Sequence, residues 1–263
     1  MGVTNSGDSA PLLERRDSGV CYLTLNRPRQ RNPLNSELLT LMRSRLQELQ
    51  GGGDLKVVVI EANGPAFCAG HDLQELVAMT AAQRMDLLAL CSELMLLIGQ
   101  IPQPVIASVH GVATAAGCQL VASCDLAVAA KSAKFATPGV DIGLFCSTPA
   151  VALSRAVGHK QALRMLLTGE AIDARQALQV GLISDLVEDH ELPLRTTALA
   201  RLIAEKPTSC IATGKQGYYQ QCEMSIESAY QLASAEMVNG LDKPAALEGI
   251  DAFLNKRKPR WPD

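Results

Sequence analysis

Aromatic residues are scarce in this 263-residue chain: four Phe, four Tyr and one Trp, 3% of the total. That scarcity argues against a surface on which nucleic-acid bases stack. An excess of positive charge is also missing. Lys and Arg number 24 against 27 Asp and Glu, a formal net charge of −3, so no nucleic-acid partner is expected. The basic cluster Lys256, Arg257, Lys258 and Arg260 is too short to change that. No uninterrupted apolar run approaches the roughly 18 residues of a spanning helix, so no membrane insertion is expected. The eight cysteines form no CxxC pair, and most lie in apolar runs, which reads as buried, reduced thiols. His71, His110, His159 and His190 form no HxxxH pattern, and no metal site is expected.

The chain is long enough for one large domain with a helical appendage, and its 48% hydrophobic content supports a buried reaction site. Residues 1–15 read as a leader or disordered segment. Met1-Gly2-Val3-Thr4-Asn5-Ser6 fits the loose N-myristoylation pattern, but a trimmed leader is the simpler reading. The leader is neither Arg-rich nor amphipathic, so no transit peptide is expected within the chain.

The first half alternates strand and helix signals. Residues 19–25, 56–61, 104–109 and 125–129 read as apolar strands. Ser36 reads as the N-cap of an amphipathic helix through Leu49, with leucines at 38, 39, 41, 46 and 49. A helix pair is predicted over 73–100 and a short helix of small residues over 115–122. Such alternation predicts a parallel or mixed sheet with crossover helices, an α/β fold over 16–200. After residue 160 the signals are almost all helical, over 160–167, 174–180, 190–205, 208–220, 225–239 and 243–255. A helical C-terminal region over 201–263 that packs on a neighbouring subunit is therefore expected.

Two turns place small residues where a strand gives way to a helix. Phe67-Cys68-Ala69-Gly70-His71-Asp72 precedes a helix beginning near Leu73, and His110-Gly111-Val112-Ala113-Thr114-Ala115-Ala116-Gly117 opens another. First-turn amides have no intrahelical partner and carry the positive end of the helix dipole. Two such amides aimed at one point can hold a thioester oxygen and stabilise its enolate. Taken alone, glycines at helix starts more often serve close packing.

At these residues the chain resembles the crotonase (enoyl-CoA hydratase/isomerase) superfamily. The resemblance is carried by Leu25-Asn26-Arg27-Pro28 with Asn32, by residues 67–72, by Pro104-Val105-Ile106-Ala107 leading to His110-Gly111, and by Gly117-Cys118 through Cys124-Asp125-Leu126. It continues through Phe135, Gly143, Leu167-Thr168-Gly169 and Gly181-Leu182 to the C-terminal run 252–259. The resemblance implies a spiral of β-β-α turns with a helical C-terminal trimerisation layer, assembled as a homotrimer or a dimer of trimers. It implies oxyanion-hole amides on His71 and Ala116. It also implies an acyl-coenzyme A thioester as the bound partner, with no tightly bound cofactor and coenzyme A as part of the substrate. The coenzyme would pass Arg27 and Arg29, with its adenine near Ala66, Phe67 and Ala69 and its thiol arm entering toward His71 and Asp72. Phe253 and Lys256 would reach a neighbouring subunit's coenzyme. A mitochondrial matrix location in fatty acid metabolism is likewise implied.

The departures from the family pattern are two. A hydratase of this family uses one glutamate as base and another as acid. Here Gln119 stands at the first position, and an amide does not exchange protons near neutral pH. Gly139 stands at the second, in Phe135-Ala136-Thr137-Pro138-Gly139. Hydration is therefore expected to fall by several orders of magnitude, at roughly 10²–10⁴ per group. Asp141 is a candidate substitute, with turn capping an equally good reading. The His71 side chain is expected to point away as a satisfied polar group. Cys146 and Ser147 are expected to line the acyl pocket, since no base accompanies them. Asp125 is read as structural. Two alternatives stay open: a decarboxylase or other enolate-forming enzyme, a chemistry found in family members with the Ala-Gly-His-Asp variant, and a non-catalytic regulatory pseudoenzyme.

Overall fold

The computed structural model describes residues 10–51 and 54–262. Strands β1 (Leu12–Asp17) and β2 (Val20–Leu25) form an antiparallel hairpin across Ser18 and Gly19, both at positive φ (51° and 80°). That pair of angles suits the twist of a two-residue hairpin loop. β1 begins inside the segment read from the sequence as a leader and runs two residues past it. Its Glu14-Arg15-Arg16 hides the strand signal and suits it to the edge position it takes. The 1–6 lipidation pattern lies outside the described residues.

From β2 inward the pairing is parallel: β3 (Val57–Ala62), β4 (Val105–Val109), β6 (Leu126–Ala130) and β9 (Asp185–Val187) complete a six-stranded sheet in the order β1-β2-β3-β4-β6-β9. Its central strands are apolar on both faces because both faces are covered. One face packs on α1 (Ser36–Gln50) and α3 (Ala81–Gln100), through residues such as Leu38, Met42, Leu46, Leu94 and Ile98. The other face, with Val20, Tyr22, Val57, Ile106 and Val128, packs on α8 (Leu192–Ala204) through Leu192 and Ala200.

A second, smaller sheet joins β5 (Val112–Thr114), β7 (Lys134–Ala136) and β8 (Ile172–Asp173). Single bridges extend it backward, Cys68 to Ala113 and Leu34 to His71. Each turn of the chain thus lays one strand in the large sheet, one short strand in the small sheet, and then a helix. This is the spiral of β-β-α turns that the resemblance implied.

Several local expectations are corrected. The N-cap of α1 is Asn35, whose side chain accepts from Leu38 N–H at 3.0 Å, so Ser36 is the first helical residue. Met42, not Leu41, supplies the inward position at mid-helix; Leu41 is exposed. Residues 112–114, read as part of a turn, are strand β5. A helix the sequence reading missed, α5 (Ser147–Ala156), packs against α4 (Ala116–Ser123). The boundary at 200 cuts α8, which belongs to the core; the outer helical layer begins at α9 (Thr208–Cys222) and continues through α10 (Ile226–Leu241) and α11 (Pro244–Leu254). Cys210 and Cys222 of α9 are exposed, unlike most of the cysteines.

A polar cluster helps fasten this outer layer to the core. The Lys215 ammonium donates to Ile98 O (2.7 Å) and Gln103 O (2.8 Å) and pairs with Asp125 Oδ2 at 2.7 Å. Asp125 also accepts from Val105 N–H (2.6 Å) and Tyr219 OH (2.8 Å). Asp125 is structural, as expected, but it clamps α9 to the core rather than only shaping a turn. Beyond the clamp, α10 buries none of its side chains, and Tyr218, Tyr230, Met237, Val238 and Leu241 are exposed. Among the described residues no helix is long and apolar enough to cross a membrane.

Candidate active site

The segment 66–72 runs between two neighbours and alternates between them. Cys68 faces β5: its N–H donates to Val112 O (3.1 Å) and its carbonyl accepts from Thr114 N–H (2.9 Å). Ala69 N–H turns back to Arg31 O at 3.0 Å. Leu34 N–H donates to Gly70 O (2.7 Å), and Leu34 O accepts from Asp72 N–H (3.3 Å). In a parallel bridge of this kind the residue between those two partners presents its own N–H to the opposite side. That residue is His71, and the neighbouring Gly70 lies against the start of α4.

Ala116 is the first residue of α4 and has no intrahelical acceptor for its N–H. Two glycines let the elements meet. A Cβ on Gly70 (φ +94°) would lie 2.9 Å from Ala115 Cβ and 3.4 Å from Ala116 N. A Cβ on Gly117 would lie 2.3 Å from Cys68 O and 2.8 Å from Cys68 Cβ. The backbone of α4 therefore rests directly on segment 68–70, with the His71 and Ala116 amides on adjoining stretches. These sit at the positive end of a helix, where developing negative charge is favoured.

Neither Gln119 nor Gly139 brings an acid to this point. Gln119, one turn along α4 from Ala116, is 4% exposed, and its Oε1 has no hydrogen-bond partner among the described residues. Gly139, in a 3-10 turn over Pro138–Ile142, has no space for a side chain: a Cβ there would lie 2.1 Å from Leu144 O and 2.8 Å from Cys146 Sγ. The turn is closed by Leu144 N–H donating to Gly139 O at 2.9 Å, and Gly139 N–H donates to the Cys146 sulfur. Burial raises the Cys146 thiol, and burial pushes Cys118 up to about 12, so both are neutral thiols rather than nucleophiles at neutral pH. Thr137, fully buried, also has an Oγ1 with no partner among the described residues.

Asp141 is exposed and lies against the end of α6 (His159–Thr168): a Cβ on Gly169 would meet both its oxygens at 3.0 Å. That places it at a helix end, and no described contact links it to His71, Ala116 or Gln119. The His71 ring is half satisfied, which differs from the expectation of full pairing. Nδ1 contacts Leu34 O at 3.3 Å, while Nε2 is buried without a partner among the described residues. Desolvation lowers its pKa below the ordinary 6.5, against a smaller opposing effect of the Leu34 carbonyl, so the ring is neutral at pH 7.

The residues expected to hold coenzyme A do not share one environment. Arg27 and Asp72 meet each other. The guanidinium reaches Asp72 Oδ2 (3.2 Å) and Pro33 O (3.0 Å), while Asp72 caps α2 (Leu73–Ala78) by accepting from Glu75 N–H. Arg29 stands exposed on a 3-10 turn over Pro28–Gln30, free to reach a phosphate. The side chains of Ala66 and Phe67 are drawn into the interior. The Phe67 ring is fully buried in the core, and Ala66 O already accepts from Asn32 Nδ2 at 2.9 Å. Ala69 is half-buried. Phe253 (81% exposed) and Lys256 lie at the end of α11, in the outer layer rather than on the elements that carry His71 and Ala116.

Asn32 is the site-building residue whose role the sequence reading left unstated. Fully buried at φ 54°, its amide accepts from Arg27 N–H (2.7 Å) and donates to Asn63 O (2.8 Å) and Ala66 O (2.9 Å). It ties the 27–32 loop to the segment leading into residues 67–72. The signal available was an Asn between Arg31 and Pro33, a residue type that tolerates left-handed backbone.

Residues 15–263 match the enoyl-CoA hydratase/isomerase family. The chain belongs to that family. It is 49% identical over 260 residues to enoyl-CoA hydratase domain-containing protein 3, mitochondrial, of Rattus norvegicus, covering 97% of this chain and 86% of that protein. The Homo sapiens protein of the same name is 46% identical over 252 residues, covering 95% and 83%. The crystal structure of that human protein superposes with a TM-score of 0.93 at 46% identity, covering 96% of this chain and all of that one. A crystal structure of an enoyl-CoA hydratase of Mycobacterium smegmatis superposes with a TM-score of 0.94 at 47% identity, covering 96% and 99%. Family membership and the mixed α/β spiral with its helical C-terminal region thus agree.

Proposed function

We propose that the chain binds an acyl-coenzyme A thioester and polarises its carbonyl between the N–H groups of His71 and Ala116, with hydratase activity weak or absent. The observation that carries this reading is the closed turn at Gly139. The space in which a side chain would begin is filled by the Leu144 carbonyl and the Cys146 thiol. With Gln119 at the other position, the amide pair has no carboxylate to complete it. Such a site can hold and activate a thioester but has no titrating pair with which to split water across a double bond.

Coenzyme A enters as part of the substrate, with no resident cofactor. The exposed Arg29 suits a phosphate of that ligand. The exposed apolar side chains of α9–α11 support assembly as a homotrimer or dimer of trimers, in which Phe253 and Lys256 reach a neighbouring subunit's ligand. The names of the rat and human relatives support a mitochondrial location, and we place the protein in the matrix, in fatty acid metabolism.

A thermal-shift series with coenzyme A, butyryl-, crotonyl- and methylmalonyl-coenzyme A tests the reading, since a ligand of the native state raises the melting temperature. A crotonyl-coenzyme A hydration assay accompanies it. Acyl thioesters should stabilise the protein more than free coenzyme A, with hydration near background. Loss of carbon dioxide from the methylmalonyl ester would favour the enolate-forming enzyme, and binding without any turnover the regulatory protein. Failure of every thioester to bind, or robust hydration that survives Gln119→Ala, sinks the proposal.

A further inference from the structure

Ala115 holds a backbone conformation that its side chain opposes. It sits at φ 49°, ψ −118° immediately before α4. That region is open to glycine and crowded for any residue with a Cβ. Both of its backbone groups are committed. Its N–H donates to Ala136 O at 2.9 Å, just beyond the β5–β7 pairing, and its carbonyl accepts from Gln119 N–H at 3.0 Å inside α4. The small sheet on one side and the helix on the other hold the strained geometry in place. A glycine would adopt the same angles without steric cost.

The methyl group that creates the strain has a definite neighbour. A Cβ built on Gly70 would lie 2.9 Å from Ala115 Cβ, so the methyl fills the space beside Gly70. Gly70 is joined by its own peptide to His71, and Ala115 is joined by its own peptide to Ala116. The contact between Gly70 and Ala115 is thus one residue away from each amide of the proposed oxyanion hole. Close by, the unpaired Gln119 Oε1 is an independent sign that this region is built for a polar ligand group.

We infer that Ala115 is a positioning residue whose methyl, wedged against Gly70, sets the separation of the His71 and Ala116 N–H groups. The inference rests on the thioester-binding reading proposed above. Without the methyl, segment 68–71 relaxes toward α4 and the two donors no longer meet one oxygen at hydrogen-bonding distance. Ala115 touches no ligand itself. Its effect is confined to how strongly the carbonyl is polarised, and binding of the coenzyme portion does not depend on it.

The test uses the full chain with a dienoyl thioester of coenzyme A, whose ultraviolet band moves to longer wavelength when its carbonyl is polarised. Wild type, Ala115→Gly and Ala115→Ser are titrated with the dienoyl thioester and with free coenzyme A, and each is unfolded in urea. Ala115→Gly should be at least as stable as wild type and bind free coenzyme A equally well. It should lose most of the band shift and about tenfold in its preference for thioester over free coenzyme A. Ala115→Ser keeps a Cβ and should keep the shift. A full band shift in Ala115→Gly overturns the inference and leaves thioester binding standing. A marked loss of stability in Ala115→Gly overturns it also, because no strain was then relieved. If wild type binds free coenzyme A but gives no band shift with the thioester, the oxyanion-hole reading itself fails and the inference falls with it.

Discussion

Restoring a glutamate at position 139 should fail to restore hydration, and the reason is steric before it is chemical. In Gly139→Glu the new Cβ must enter a space already held by Leu144 O at 2.1 Å and Cys146 Sγ at 2.8 Å. The nearer atom is backbone, part of the turn closed by Leu144 N–H and Gly139 O, so no rotamer change relieves the contact. Overpacking of this kind costs about 1–3 kcal/mol, and more when backbone must move. A carboxyl placed among buried thiols without a cation adds a desolvation penalty of similar size. The sum is about 3 kcal/mol or more. For a protein of this size that lowers the melting temperature by about 6–12 °C. Urea unfolding of Gly139→Glu and of Gln119→Glu/Gly139→Glu, with crotonyl-coenzyme A hydration measured beside it, checks the reasoning. Both variants should be destabilised, and the double variant should stay orders of magnitude below a two-glutamate hydratase. A double variant that hydrates efficiently at unchanged stability would refute the argument, because the turn would then open freely.

Gly117→Ala drives a methyl to within 2.3 Å of Cys68 O. It should cost about 1–3 kcal/mol in urea unfolding and weaken thioester binding by separating α4 from segment 68–70. Lys215→Met strands Asp125, whose side chain is only 14% exposed. That should cost about 3–5 kcal/mol, much of it recovered in Lys215→Met/Asp125→Asn, a pattern a double-mutant cycle reads directly. His71 has its pKa lowered by burial in the folded state, so between that value and 6.5 the unfolded chain binds more protons. Its contribution to stability is complete above pH 6.5 and is lost as pH falls through that window. The unfolding free energy should therefore fall less from pH 7.5 to pH 5 in His71→Asn than in wild type.

The large sheet was legible because its strands are apolar on both faces, and runs such as Val57-Val58-Val59-Ile60 admit little else. Strand β5 was not, since three residues carry no periodicity and only their register with 134–136 makes them a strand. α5 was hidden by its opening Ser147-Thr148-Pro149, which reads as a turn although proline is tolerated in a first helical turn. In the site, the identities of Gln119 and Gly139 were readable residue by residue. That a carbonyl and a thiol had filled the space beside Gly139 was not, because the turn that delivers them closes through backbone atoms. The pairing of Arg27 with Asp72 was equally hidden, for 45 residues separate them and each reads alone as a surface charge. Ala115 gave no warning either, since nothing in its neighbours announces a positive φ.

The Lys215 cluster has a chemical consequence as well as a mechanical one. An ammonium has three protons to give, and Ile98 O, Gln103 O and Asp125 take all three. With its side chain only 7% exposed, this amine has neither a lone pair nor a path to offer a reagent. Amine-directed acylation will label lysines on the open surface, such as Lys134, while Lys215 stays unlabelled until α9 comes away from the core. Labelling at Lys215 is therefore a chemical clock for the detachment of the outer helices.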